Sequence, residues 1–138
     1  MKGIRGYIFS RPFLGERVPQ HVQNIVIRDF CQKNQLHYLL SATEYAMEGS
    51  FLMLEEVLND LSNIDGIIPY SLFQLPEFPK SRERIYERIL EKGSVMYFAV
   101  EGLSFSSEND LERLENIWRV RSVLKDCPIV IDEKYAKS

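Results

Sequence analysis

The feature that most constrains this chain is a repeated change of hydrophobic period. Short runs rich in β-branched and aromatic residues, Ile4–Phe9, Leu36–Leu40, Gly66–Tyr70 and Val95–Val100, alternate with stretches whose apolar residues recur every three or four positions. Runs of the first kind suit buried strands, and stretches of the second suit helices with one apolar face. Their alternation predicts βαβ units, and so a three-layer α/β/α fold with a central, mostly parallel sheet of four to five strands and helices on both faces.

Local signals place the boundaries. The first strand stops at Ser10-Arg11-Pro12, and a helix follows from Val18 to about Asn34, with Pro19 in its first turn and Val18, Val22, Ile25, Val26 and Phe30 inward. Ser50 is the expected N-cap of a second helix carrying Phe51, Leu54, Val57, Leu58 and Leu61 on one face. Pro69 cannot donate to a ladder, so it belongs at a strand end or a bulge. Pro79 and Ser81 open a charged helix with Ile85, Ile89 and Leu90 inward, closed by Lys92-Gly93. Ser107 and Asp110 form a capping-box pattern ahead of a long helix through Leu111, Leu114, Ile117, Trp118 and Leu124. Pro128 ends that helix and leaves Ile129–Ile131 as a candidate terminal strand.

With 138 residues, 45% of them hydrophobic and 27% charged, the chain suits one domain spanning residues 1–138. Cys31 and Cys127 show neither metal-ligand nor disulfide-framework spacing, so a reducing, cytoplasmic setting is expected. Nowhere do eighteen apolar residues run together, and neither secretion nor membrane insertion is expected. The net charge of −3 and pI near 5.5 argue against a nucleic-acid partner, although Arg5, Arg11, Arg17 and Arg28 gather in the first quarter.

Candidate functional residues lie at the strand exits, where open α/β sheets bind ligands. Strand one ends in Ser10-Arg11, strand two in Ser41-Ala42-Thr43-Glu44-Tyr45, strand three in Tyr70-Ser71 and on to Gln74, and strand four in Glu101-Gly102. Arg11 and Arg17 are suited to clamp a phosphate or carboxylate, and Glu44 and Glu101 to act as acid, base or sugar-hydroxyl acceptor. Gln20 and Gln23, three apart on the first helix, suit hydroxyl recognition, with a solvated polar stripe as the plainer account. His21 and His37 have no metal-ligand spacing, and no GxGxxG, Walker or GxSxG pattern occurs, so neither metal nor cofactor is expected.

Two resemblances add to this. Gly6-Tyr7 followed by Ser10, the loop Tyr70–Leu75 and the long helix from Ser107 together resemble the catalytic domain of resolvase-type serine recombinases across about residues 4 to 124. That resemblance implies a resolvase-like sheet, a flavodoxin-like one being the alternative, a nucleophile at Ser10 and dimerisation through the 107–124 helix. The family's Asp-Arg pair and following Arg are replaced by Phe73-Gln74 and Glu77, so cationic stabilisation of a phosphodiester transition state is missing. The strings GERVPQHVQNIVIRDFCQKN, LLSATEYAM, YSLFQLPE and FAVEGL are similar to small proteins named for sporadic carbohydrate clusters, which implies a surface-glycan pathway and no particular reaction.

The leading expectation is therefore a sugar or sugar-phosphate bound at the strand exits by Arg11, Arg17, Gln20, Gln23, Ser41, Thr43, Tyr45, Ser71 and Gln74. In that reading Glu44, Glu101 and Ser10 carry any chemistry. A non-catalytic dimeric subunit docking on a glycan enzyme is the second expectation, and a degenerate recombinase-like DNA-binding or nuclease module using Ser10 and Arg5 the third.

Overall fold

A computed structural model describes residues 2–126. The elements run β1 (Ile4–Phe9), α1 (Gln20–Lys33), β2 (Tyr38–Glu44), α2 (Leu52–Asn59), β3 (Gly66–Pro69), α3 (Pro79–Glu91), β4 (Val95–Phe98), β5 (Leu103–Phe105) and α4 (Leu111–Asp126). Short 3-10 turns occupy Leu61–Asn63, Leu72–Gln74 and Glu108–Asp110. The five strands form one sheet in the order β2-β1-β3-β4-β5, parallel except for β5, which pairs antiparallel with β4. The α/β architecture expected from the alternating periods is thus present, with four helices around a mostly parallel sheet.

Crossover handedness distributes the helices. From β1 the chain moves one way to β2, whereas β2 to β3 and β3 to β4 move the other way, so right-handed connections put α1 on one face and α2 and α3 on the other. Residues alternate accordingly along β1. Ile4 and Ile8 pack with Ile27 and Cys31 of α1 and Ile68 of β3, while Tyr7 and Phe9 join the larger cluster with Leu54, Leu58, Ile85, Ile89, Leu114 and Trp118.

Two glycines permit this sheet. A Cβ on Gly66 would overlap the Val95 carbonyl oxygen of the neighbouring strand, and one on Gly6 would overlap the Ser41 hydroxyl. The second crowding comes from a bulge: Leu40 and Ser41 of β2 oppose the single residue Gly6, between the pairs Arg5–Leu39 and Tyr7–Ala42.

Several boundaries differ from the expectations. The second strand runs from Tyr38 to Glu44, because an edge strand tolerates the polar Ser41-Ala42-Thr43-Glu44 that reads as a loop. The buried stripe of α1 is Gln23, Ile27 and Cys31, and Ile25 stands 59% exposed, so the helix is turned from the face its apolar residues suggested. Pro19 is the N-cap residue, one position ahead of the helix. Helix α2 begins after Phe51 with no cap from Ser50, whose hydroxyl instead donates to Glu44, and Leu61 is buried from a 3-10 turn. Strand β5 was not anticipated, whereas Pro69 does end its strand and Gly93, at φ +63°, does close α3. The Ser107–Asp110 capping box is present, on the 3-10 turn that leads into α4. The candidate strand at Ile129–Ile131 and the stop at Pro128 lie outside the described residues. Among the described residues no helix is long and apolar enough to cross a membrane.

Candidate functional site

The strand order reverses between β1 and β3, which in an open sheet leaves a crevice beyond their carboxyl ends. Here side-chain amides fill it. Gln23 turns into the core from α1, fully buried; its Oε1 accepts from the Phe9 N–H at 3.0 Å and its Nε2 donates to the Phe9 carbonyl at 2.9 Å and to Val18 O at 2.9 Å. The amide therefore pairs with the end of β1 as a neighbouring backbone would. Gln74, equally buried, reaches from the loop after β3 and donates to Gln23 Oε1 at 2.8 Å, while its own Oε1 accepts from Ser71 N. A direct hydrogen bond joins the exits of the two strands that flank the switch.

The carboxylates at the neighbouring exits are engaged as well. Glu44, 1% exposed at the end of β2, accepts five hydrogen bonds: from Tyr7 Oη at 2.8 Å, Tyr45 N, Ser50 Oγ, Met53 N and Leu54 N. Two of these donors are unpaired backbone groups of the first turn of α2, so a strand residue caps the helix that Phe51 leaves uncapped. Burial, reinforced by the neighbouring Glu44 charge and hydrogen bond, pushes the Tyr7 phenol far above its ordinary range, so Tyr7 remains a donor. Glu101, in the turn between β4 and β5, accepts from Ser71 Oγ at 2.8 Å and Leu72 N at 2.9 Å and steadies the turn after β3.

Ser10 and Arg11 complete this ring. The Ser10 hydroxyl donates to the Glu44 carbonyl at 2.9 Å. The Arg11 guanidinium lies 4.1 Å from the Phe9 ring centre and 5.1 Å from that of Phe51, and donates to the carbonyls of Tyr45 and Met47. It is 9% exposed, a strut for the β2–α2 loop. Ser41 shares a hydrogen bond with Tyr38. Arg17, Gln20, Thr43 and Tyr45 are exposed, and their side chains make no hydrogen bond among the described residues. The structure thus engages Ser10, Arg11, Gln23, Glu44, Ser71, Gln74 and Glu101 in hydrogen bonds within the chain around the exits, with Ser10 on Glu44 and with Gln23, Gln74, Ser71 and Glu101 joined in a row. The early arginines disperse: Arg5 donates to Leu40 O and Arg28 lies over the Tyr38 ring. Among the described residues no group of three or more His, Cys, Asp or Glu is placed to hold a metal ion.

A second polar centre lies against α4 and went unread in the sequence. Arg82, 3% exposed in the first turns of α3, makes a two-pronged ion pair with Glu115 at 2.7 and 2.9 Å and donates to the carbonyls of Pro76 and Glu77. Its guanidinium also lies 4.1 Å from the Trp118 ring centre. Tyr86 donates to the same carboxylate, and its phenol is pushed well above its ordinary range, by burial first and then by Glu115. For Glu115 burial works upward, but the Arg82 and Tyr86 hydrogen bonds outweigh it and hold the carboxyl below its usual value. The one available signal was the Glu115–Trp118 spacing beside the charged start of α3, which is too common to single out.

No protein-family model matches the chain, and no curated protein sequence does. Among solved structures the chain is similar to a resolvase family site-specific recombinase from Streptococcus pneumoniae, with a TM-score of 0.63 at 10% identity, covering 98% of this chain and 99% of that one. It is also similar to the N-terminal catalytic domain of TP901-1 integrase, with a TM-score of 0.62 at 13% identity over 90% of this chain and 98% of the other. At such identities the likeness shows the fold: this chain has the resolvase-type architecture expected from its first strand, its loop after β3 and its last helix.

Proposed function

We propose that this chain works by association, as a non-catalytic resolvase-fold module that pairs with a second copy along α4. The carrying observation is the outer face of that helix. Val120, Val123 and Leu124 are 59%, 60% and 52% exposed, and with half-buried Ile117 they follow the three-and-four spacing of a helix-pair seam. Leu114 and Trp118 already bury the opposite face in the core. One helix therefore offers two apolar faces, and only one is covered among the described residues. A two-fold pair would cover the other with an identical seam.

The engagement of Ser10, Glu44, Glu101 and both glutamines supports the non-catalytic half of the proposal. A nucleophile needs a base free to take its proton, and the carboxylate of Glu44, the residue whose carbonyl holds the Ser10 hydroxyl, already accepts five hydrogen bonds. Light scattering on the intact chain and on a Val120→Asp, Leu124→Asp variant tests the pairing. The expected result is a dimer that becomes a folded monomer whose melting temperature no longer rises with concentration; a monomeric parent, or a dimer in both proteins, would overturn it.

A sugar or sugar-phosphate ligand is the second reading. It is favoured by the four exposed side chains beside the exits of β1 and β2, Arg17, Gln20, Thr43 and Tyr45, which make no hydrogen bond among the described residues.

A further inference from the structure

Behind the α4 seam, on the helix's other side, lies a cavity of about 600 Å³ between the loop after β1, the start of α3 and the last turns of α4. That is the size of a small-molecule site. Trp118, Arg119, Arg121 and Ser122 form its α4 wall, and Leu14, Gly15, Pro79 and Glu77 face them.

Three observations distinguish this cavity from an ordinary surface dip. Trp118 is 8% exposed and its indole N–H has no hydrogen-bond partner among the described residues, the one buried side-chain polar atom there of which this is true. Buried donors are almost always paired, so an acceptor is missing. The indole ring lines the cavity, so an occupant that shifts the side chains over its N–H supplies that acceptor.

Arg82 is not available to hold that occupant, since Glu115, Pro76 and Glu77 take its donors. Arg119 and Arg121, by contrast, make no hydrogen bond or close ion pair among the described residues, the Arg119 charge acting on Glu115 only at longer range.

The facing turn is strained. Phe13 and Glu16 exchange both backbone hydrogen bonds around Leu14 and Gly15, whose φ angles are +54° and +74°. This two-residue turn demands left-handed backbone twice, which suits glycine and disfavours leucine. Leucine is nevertheless the residue placed there, with its side chain on the cavity.

We infer that this cavity binds a small organic phosphate monoester, with Arg119, Arg121, Ser122 and the Trp118 N–H donating to the phosphate oxygens. Two guanidinium forks, a hydroxyl and an indole N–H supply more donors than one carboxylate can use and match the three terminal oxygens of a monoester. Glu77, exposed at the rim, is an acceptor for a hydroxyl on the organic part, which makes a sugar phosphate the fitting class. The Trp118 ring cannot stack on that part, because Arg82 covers one face and the Phe73 ring packs against it at 4.9 Å. The inference is independent of the pairing proposed above, because the seam residues line the opposite side of the helix.

Trp118 is the chain's only tryptophan, so its own fluorescence reports the site. The intact chain is titrated with glucose 1-phosphate, ribose 5-phosphate, inorganic phosphate and a short DNA duplex. The expected result is a saturable fluorescence change with a sugar phosphate, weakened at least about tenfold in an Arg119→Ala, Arg121→Ala variant and unchanged in Arg28→Ala. By calorimetry, Trp118→Phe, which keeps an aromatic ring and removes the N–H, should weaken binding about fivefold. The double-arginine variant alters exposed or half-exposed side chains and should melt with the parent, so its result is readable even where Trp118→Phe fails to fold. Silence with both sugar phosphates up to millimolar concentration overturns the site; a change with the duplex alone, or equal affinity for inorganic phosphate, overturns the sugar-phosphate assignment.

Discussion

The polar residues at the strand exits and those against α4 have opposite fates. At the exits the buried polar groups find their partners within the chain: Gln23 pairs with Phe9 and Gln74, Glu44 accepts five bonds, and Glu101 holds Ser71 and Leu72. Against α4 the Arg82–Glu115 pair is closed in the same way, but beside it one indole N–H and two arginines make no hydrogen bond or close ion pair among the described residues. Position in the fold is therefore a poor guide to which polar groups remain open. A fold's customary crevice can be filled with structural amides, and the unpaired groups then lie elsewhere.

The comparison breaks most sharply at Glu44. Glu44→Ala strips the acceptor from buried Tyr7 and from the first turn of α2, and should cost about 4 kcal/mol, lowering the melting midpoint by more than about 10 °C. A loss below about 1 kcal/mol in chemical unfolding would mean that the carboxylate is not the cap it is taken for and is open for chemistry.

Gln74→Leu comes next. It removes the bond to Gln23 and the acceptor for Ser71 N, and should cost about 2 kcal/mol, read by the same denaturant midpoint. An unchanged midpoint accompanied by new ligand binding would show the crevice to be a site held shut.

The smallest effect sharpens the other side. Because Arg82 and Tyr86 hold Glu115 below its ordinary value of 4.5, its contribution is present above that value and lost as pH falls through the folded one. Glu115→Gln should cost about 1 kcal/mol near neutrality, discounted for partial exposure, and the gap to the parent should close below about pH 4.5. A gap independent of pH would mean that the charge contributes nothing.

Much of this fold was legible along the chain. Ile4–Phe9, the Lys92-Gly93 helix end and the strand-ending Pro69 depend on neighbours one to four residues away, and period and turn chemistry record such neighbours. Strand β5 escaped because three residues, Leu103–Phe105, carry too little period to register. The α1 face escaped because Gln23 reads as polar, and only its pairing with the Phe9 backbone makes its burial favourable.

The site residues divide along the same line. Ser10, Arg11, Glu44, Ser71, Gln74 and Glu101 were found from sequence, since strand ends are where polar side chains accumulate; their mutual engagement was not. The alternation of hydrophobic period by itself determined an α/β sheet with helices on both faces, because burial acts on each residue through its own position on a strand or helix. Which carboxylate caps which helix, which glutamine fills the switch crevice and which indole goes without an acceptor were decided only in three dimensions. Those pairings join residues up to 51 positions apart, and no local pattern carries their geometry.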